Sequence, residues 1–182
     1  MSDTVEQRLE KLEKKFNELE DSRKDQLTMV VMSDDLDKML AAFIIAVGAA
    51  AMDTKVKMFF TFWAISALRK EQVKQAKGKD LTAKMFGTML PKGLRQLKLS
   101  KMNMEGIGKH MIKGIMKHNN VSSLDELLAT AGELGVDIDI CTMSMDLMGF
   151  KKEEMIDYPN LGYAGVATFL ADAGESSMQL FI

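Results

Sequence analysis

Residues 136–149 read VDIDICTMSMDLMG, and this stretch decides the fold. Residues 136–142 alternate between apolar and polar side chains, the period of a strand with two different faces. They run without a linker into a helical stretch over about 144–148, which Gly149 closes. A strand that feeds straight into a helix is one half of a parallel crossover unit, so the same switch is expected elsewhere in the chain. It recurs upstream. Residues 26–32 (QLTMVVM) form a short apolar run, and Ser33, Asp34 and Asp35 then supply an N-cap and first-turn charge for a helix over 36–52. Residues 55–61 (KVKMFFT) form a second strand running into a helical stretch through Phe62, Trp63 and Leu68. Ser122 and Ser123 cap a helix that ends at Leu134 and Gly135.

Downstream the pattern predicts a short fourth strand over 155–158, a helix over 162–173 (GYAGVATFLADA) and a last strand over 178–182 (MQLFI). Strands separated by helices are joined by right-handed crossovers, with helices covering both faces. The expected architecture is an open, mainly parallel α/β sheet of about five strands. In such sheets sites gather beyond the carboxyl ends of the strands. The segments after Met32, Thr61, Ile140 and Tyr158 are expected to meet at that edge.

Composition narrows the function classes. The chain has 182 residues, 47% of them hydrophobic and 27% charged, which suits one domain with a real core. Its single cysteine excludes an internal disulfide and any CxxC site, and points to a reduced, cytoplasmic setting. Two histidines exclude a His-rich metal cage. Cys141, Met143, Met145 and Met148 are soft-metal donor types, but 141, 143 and 145 do not share one helical face, so no metal is expected. No GxGxxG or Walker pattern occurs, and no cofactor is expected. The N-terminus is charged and has no apolar signal region. The longest apolar run, residues 39–52, falls short of the roughly 20 residues of a spanning helix.

Net charge is -2, which argues against a nucleic-acid coat, yet the charge is segregated. Residues 69–118 carry 13 basic and 3 acidic side chains, net +10, and residues 119–182 carry 2 basic and 11 acidic, net -9. Residues 71–120 do not fit the alternation and read as an insertion into an α/β domain of residues 26–182. They hold Met85, Met89, Met102, Met104, Met111 and Met116. Over residues 106–118, Ile107, Met111 and Ile115 form one helical stripe, and Lys109, Lys113 and Lys117 form another. A basic, Met-rich amphipathic insert is suited to a partner groove, a subunit contact or a membrane surface, through residues 84–118.

Residues 1–25 form a separate unit. Val5, Leu9, Leu12, Phe16 and Leu19 are spaced 4, 3, 4 and 3, an a/d heptad seam. A lone helix of that length is marginal in water, so self-association or packing on a neighbouring subunit is expected. Residues 21–25 read as the hinge into the main domain.

Cys141 is the chemical signal. It lies where a strand hands over to a helix, where amide N–H groups and the helix dipole favour a thiolate. No His or Lys lies within nine residues of it in sequence. With no second cysteine, an oxidised Cys141 has no partner for a disulfide within its own chain. It can carry a persulfide or form a mixed disulfide with another protein.

Residues 139–149 (DICTMSMDLMG) and 162–170 (GYAGVATFL), with Ser33-Asp34, the FFTFW stretch at 59–63 and the Met-rich insert with Pro91 and Gly93, resemble the DsrE/DsrF/DsrH-like sulfur-relay family, in its larger DsrE-like branch. The resemblance spans roughly residues 26–182. It implies a flavodoxin-like fold, homo-oligomers, and a cysteine, here Cys141, that accepts sulfane sulfur and passes it on. The peroxiredoxin pattern of Pro, Thr or Ser, and Cys is absent, and peroxidase activity is not expected. The leading expectation is a persulfide carrier or sulfurtransferase working between a persulfide donor and an acceptor protein thiol. Ser33, Thr142, Met143, Ser144 and Asn160 would line its site. The alternative is a non-enzymatic oligomeric scaffold or a peripheral membrane-docking protein.

Overall fold

The computed structural model describes residues 5–21, 25–72, 85 and 87–182. Five parallel strands form one sheet: β1 (Gln26–Val31), β2 (Lys55–Phe60), β3 (Asp137–Cys141), β4 (Leu161–Ala164) and β5 (Met178–Phe181), in the order β4-β3-β2-β1-β5. This is the flavodoxin-like α/β arrangement. The chain steps outward from β1 to β4, then crosses the sheet to lay β5 beside β1.

Alternation sorts the side chains. Leu27, Met29, Val31, Val56, Met58, Phe60, Ile138 and Ile140 enter one large core. On that face lie α2 (Leu36–Ala50) and α4 (Leu124–Glu133), which pack on each other. α2 buries Leu36, Met39, Leu40, Phe43 and Ala46, the i, i+3, i+4, i+7 stripe of an amphipathic helix. The apolar run over 39–52 is therefore only half enclosed, and Ile44, Ile45 and Met52 stay exposed. The opposite face of the sheet carries α6 (Val166–Gly174), of which only Ala173 is fully buried.

Ser123 caps α4 as expected. Its Oγ accepts from Glu126 N, and Ser123 N donates to Glu126 Oε2 at 2.7 Å, a reciprocal box. Gly135 follows with φ 76°. α2 starts differently. Asp35 sits at its N-cap position without a side-chain cap bond. Leu36 N donates instead to Lys98 O at 2.7 Å, and Asp37 accepts from Ser100 N and Oγ. Residues 98–100 thus fasten to the start of a core helix. Residues 62–68 form a 3-10 helix, and residues 107–118 form α3 (Ile107–His118) as the stripe predicts. Parts of the insertion expectation fall on residues 73–84 and 86, and part of the hinge expectation on 22–24, outside the described residues.

Two expectations are corrected. The fourth strand is not residues 155–158. Met155 forms only an isolated antiparallel bridge with Arg69, and the strand is Leu161–Ala164. The helix predicted from 162 therefore begins at Val166. Small residues misled the reading. Gly162 lies opposite Asp139, whose Oδ1 would stand 2.0 Å from any Cβ at that position. A glycine in a strand here answers a close approach, not a helical preference.

Residues 68–70 and 154–156 are held by a buried pair. Arg69 Nη2 donates to Glu154 Oε2 at 3.3 Å and to Gly87 O at 3.2 Å, with the guanidinium 4.5 Å above the Phe150 ring. Arg69 Nε has no partner among the described residues. Both side chains are 3% exposed, whereas Asp157, paired with Lys70, is 93% exposed. Removing one member of a buried pair leaves an uncompensated charge. Glu154→Gln is expected to cost roughly 3–5 kcal/mol by urea unfolding. Asp157→Asn is expected to cost under about 1 kcal/mol in the same assay.

Candidate functional site

β3 ends on Cys141, which is also the N-cap residue of the seven-residue helix α5 (Thr142–Met148). The helix starts two residues earlier than the sequence pattern suggests, so strand and helix meet at the cysteine itself. Gly149 ends the helix at φ 66°, the left-handed turn its position predicts.

Alternation turns Cys141 away from the large core. It shares the opposite face with Phe59 and Ala164, and Phe169 of α6 packs against this cluster. The Phe59 and Phe169 rings stack at 5.2 Å and 26°. The thiol is 1% exposed and makes no capping hydrogen bond to α5. The sequence reading placed it at an open helix terminus. The structure buries it in a small cluster that Phe169, on the helix after the neighbouring strand, packs against.

The other expected residues scatter. Thr142 Oγ1 donates to Ala164 O at 3.4 Å, joining the ends of β3 and β4 beside the cysteine. Ser144 is fully buried and shares a 2.9 Å hydroxyl contact with Thr61 Oγ1, on the segment after β2. Met143 is 62% exposed. Ser33 follows β1, which β2 separates from β3. There it donates to Asp35 Oδ2 and accepts from Lys38. Asn160 lies at the amino end of the sheet, where its carbonyl accepts from Ile138 N, so it is not part of the Cys141 region. That expectation fell with the misplaced fourth strand.

Three features escaped sequence reasoning. Phe169 joins the cysteine's cluster from 28 residues away in sequence, and only a crossover over this face brings it there. Phe62, immediately after Thr61, holds φ 47°, an outlying backbone conformation for a bulky residue. Charged side chains also line the cysteine's face. Lys57 Nζ donates to Asp172 Oδ1 of α6 at 2.5 Å, and Asp139 lies two residues before Cys141 on the same face. The hydrogen bond to Asp172 raises the Lys57 ammonium above its usual range. Burial, with added repulsion from Asp172 and Asp137, raises Asp139 despite Lys57.

Fold and thiol position together define a flavodoxin-like α/β protein with a single cysteine at the carboxyl edge of a central strand. The chain belongs to the DsrE/DsrF/DrsH-like family, whose model matches residues 23–181. It is 50% identical over 155 residues to the uncharacterized protein YrkE of Bacillus subtilis, covering 85% of this chain and 95% of that protein. It is 32% identical over 157 residues to the sulfur carrier protein DsrE2 of Allochromatium vinosum, covering 86% and 98% respectively. Among the described residues, no helix is long and apolar enough to cross a membrane.

Two outcomes follow from this geometry. Phe169→Ala removes the ring that packs against the Phe59, Cys141 and Ala164 cluster, and native alkylation by iodoacetamide is expected to accelerate about tenfold as that cluster loosens. A folded-state carboxyl pKa raised above the ordinary 3.8 means that ionised Asp139 lowers stability at neutral pH. Asp139→Asn is therefore expected to raise the urea midpoint at pH 7. The difference from wild type should close as the pH falls through the folded pKa and below 3.8.

Proposed function

We propose that this protein is a persulfide carrier, with Cys141 as the sulfur-bearing residue. Membership of the DsrE/DsrF/DrsH-like family and the likeness to a protein named a sulfur carrier support a sulfur-relay role. The observation that carries the assignment is that Cys141 is the chain's only cysteine and stands at the carboxyl edge of β3. A relay through a protein thiol has no other atom to use.

The Cys141 thiolate attacks the outer sulfur of a donor persulfide. A new S–S bond forms to Cys141, the donor's S–S bond breaks, and the donor leaves as its thiolate. The acceptor's thiolate then attacks the outer sulfur, and Cys141 departs as a thiolate. One sulfane sulfur moves, and no external oxidant or reductant is consumed.

The burial of Cys141 makes this a gated transfer. Donor and acceptor reach the sulfur only when the Phe169 side of α6 swings away. α6 is suited to that, because most of its surface is already exposed and only Ala173 is fully buried. Met143 at the start of α5 and Val166 at the start of α6 are both exposed at the ends of neighbouring strands. They offer apolar contact to a partner whose docking displaces the lid. The exposure of Ile107, Met111 and Ile115 on α3 favours a second reading, a docking protein in which Cys141 is structural.

Incubation with glutathione persulfide followed by intact-mass analysis separates the two. The carrier reading expects a gain of about 32 Da per sulfur on the wild type, reversed by an acceptor thiol and absent from Cys141→Ser. If Cys141 alkylates in the native protein but takes up no sulfur, the carrier reading is wrong.

A further inference from the structure

Among the described residues, none covers the apolar positions of α1 (Val5–Asp21) that face solvent. Val5, Leu9, Leu12 and Phe16 are 76%, 53%, 67% and 60% exposed. The spacing puts Val5, Leu12 and Leu19 at d positions, and Leu9 and Phe16 at a positions. The flanking charges then fall into one register. Both g positions are basic, Arg8 and Lys15. All three e positions are acidic, Glu6, Glu13 and Glu20.

That sorting is selective. When identical helices run parallel and in register, each g residue faces the e residue five positions later on its neighbour. Arg8 then meets Glu13, and Lys15 meets Glu20, in both directions. When they run antiparallel, g faces g and e faces e. Arg8 and Lys15 would crowd cations, and the glutamates would crowd one another, which is destabilising.

We infer that the N-terminal arm is a parallel, in-register coiled coil with the arm of a second copy of this chain. The arm lies almost wholly outside the family-matched residues 23–181. Parallel pairing places the attached α/β domains at the same end of the coil, at the carboxyl ends of the arms. A transfer partner would then meet two Cys141 regions on one assembly. The pairing itself stands whether or not Cys141 carries sulfur.

Sedimentation equilibrium on the full chain reads the pairing. Arg8→Glu with Lys15→Glu makes every g and e position acidic, and self-association is expected to weaken about tenfold or more. Adding Glu13→Lys and Glu20→Lys restores opposite charges across a parallel interface and is expected to recover it. Orientation is read in a Cys141→Ser background carrying Val5→Cys. Mild oxidation should give a disulfide-linked dimer, because in register the two thiols face each other at one layer. In an antiparallel pairing centred on Leu12 they would stand about 20 Å apart. Association unchanged by Arg8→Glu with Lys15→Glu, failure of the four-fold variant to recover, or no cross-link at Val5→Cys would each overturn the inference.

Discussion

The two-residue period of β3 is the constraint on which the site depends. Ile138 and Ile140 must face the large core, because that is where α2 and α4 bury their apolar stripes. Asp137, Asp139 and Cys141 are thereby sent to the other face, whatever their chemistry. A slip of one residue would exchange the two sets and place two carboxylates in hydrocarbon. The position of the thiol is therefore a by-product of the strongest packing in the molecule. Pairing of β3 between β2 and β4 then seats it beside Phe59 and Ala164.

The two faces of the sheet are held by different forces. The α2 and α4 face is a continuous apolar core. The α6 face combines the small Phe59, Cys141, Ala164 and Phe169 cluster with polar ties. Gln26 Nε2 donates to Asp172 O and Ser176 Oγ, each at 2.9 Å, and Lys57 holds the Asp172 carboxylate. Polar ties of this kind exchange with water at small net cost, while apolar burial does not. A helix fastened in that way is suited to lifting locally while the core stays intact. Such a division suits the gated transfer proposed for Cys141.

Charge segregation finds a partial structural account. The described part of the basic stretch does not float beside the acidic half. It is tied to the start of α2 through Lys98 and Ser100, and to the stretch around Glu154 through Arg69 and the Gly87 and Pro91 carbonyls. Arg95 also pairs with Asp125 at 3.6 Å, an exposed contact that contributes orientation more than stability. Among the described residues, Lys113 and Lys117 stay exposed beside the apolar stripe of α3.

Periodicity alone determined much of this protein. The strands β1, β2, β3 and β5, the amphipathic α2 and α3, the Ser123 cap and the Gly149 stop were all legible. In each of them the local preference and the global packing agree. The sole cysteine and its place at a strand end were equally plain. Tertiary structure decided the rest. Residues 161–164 are too short and too glycine-rich to announce a strand, and become one only because β3 offers an open edge and Asp139 fills the space above Gly162. The burial of Cys141 and the exile of Asn160 followed from that same edge. A crossover from β4 back to β5 must pass over the cysteine's face, and what it lays there is set by chain topology, which no local window of sequence contains.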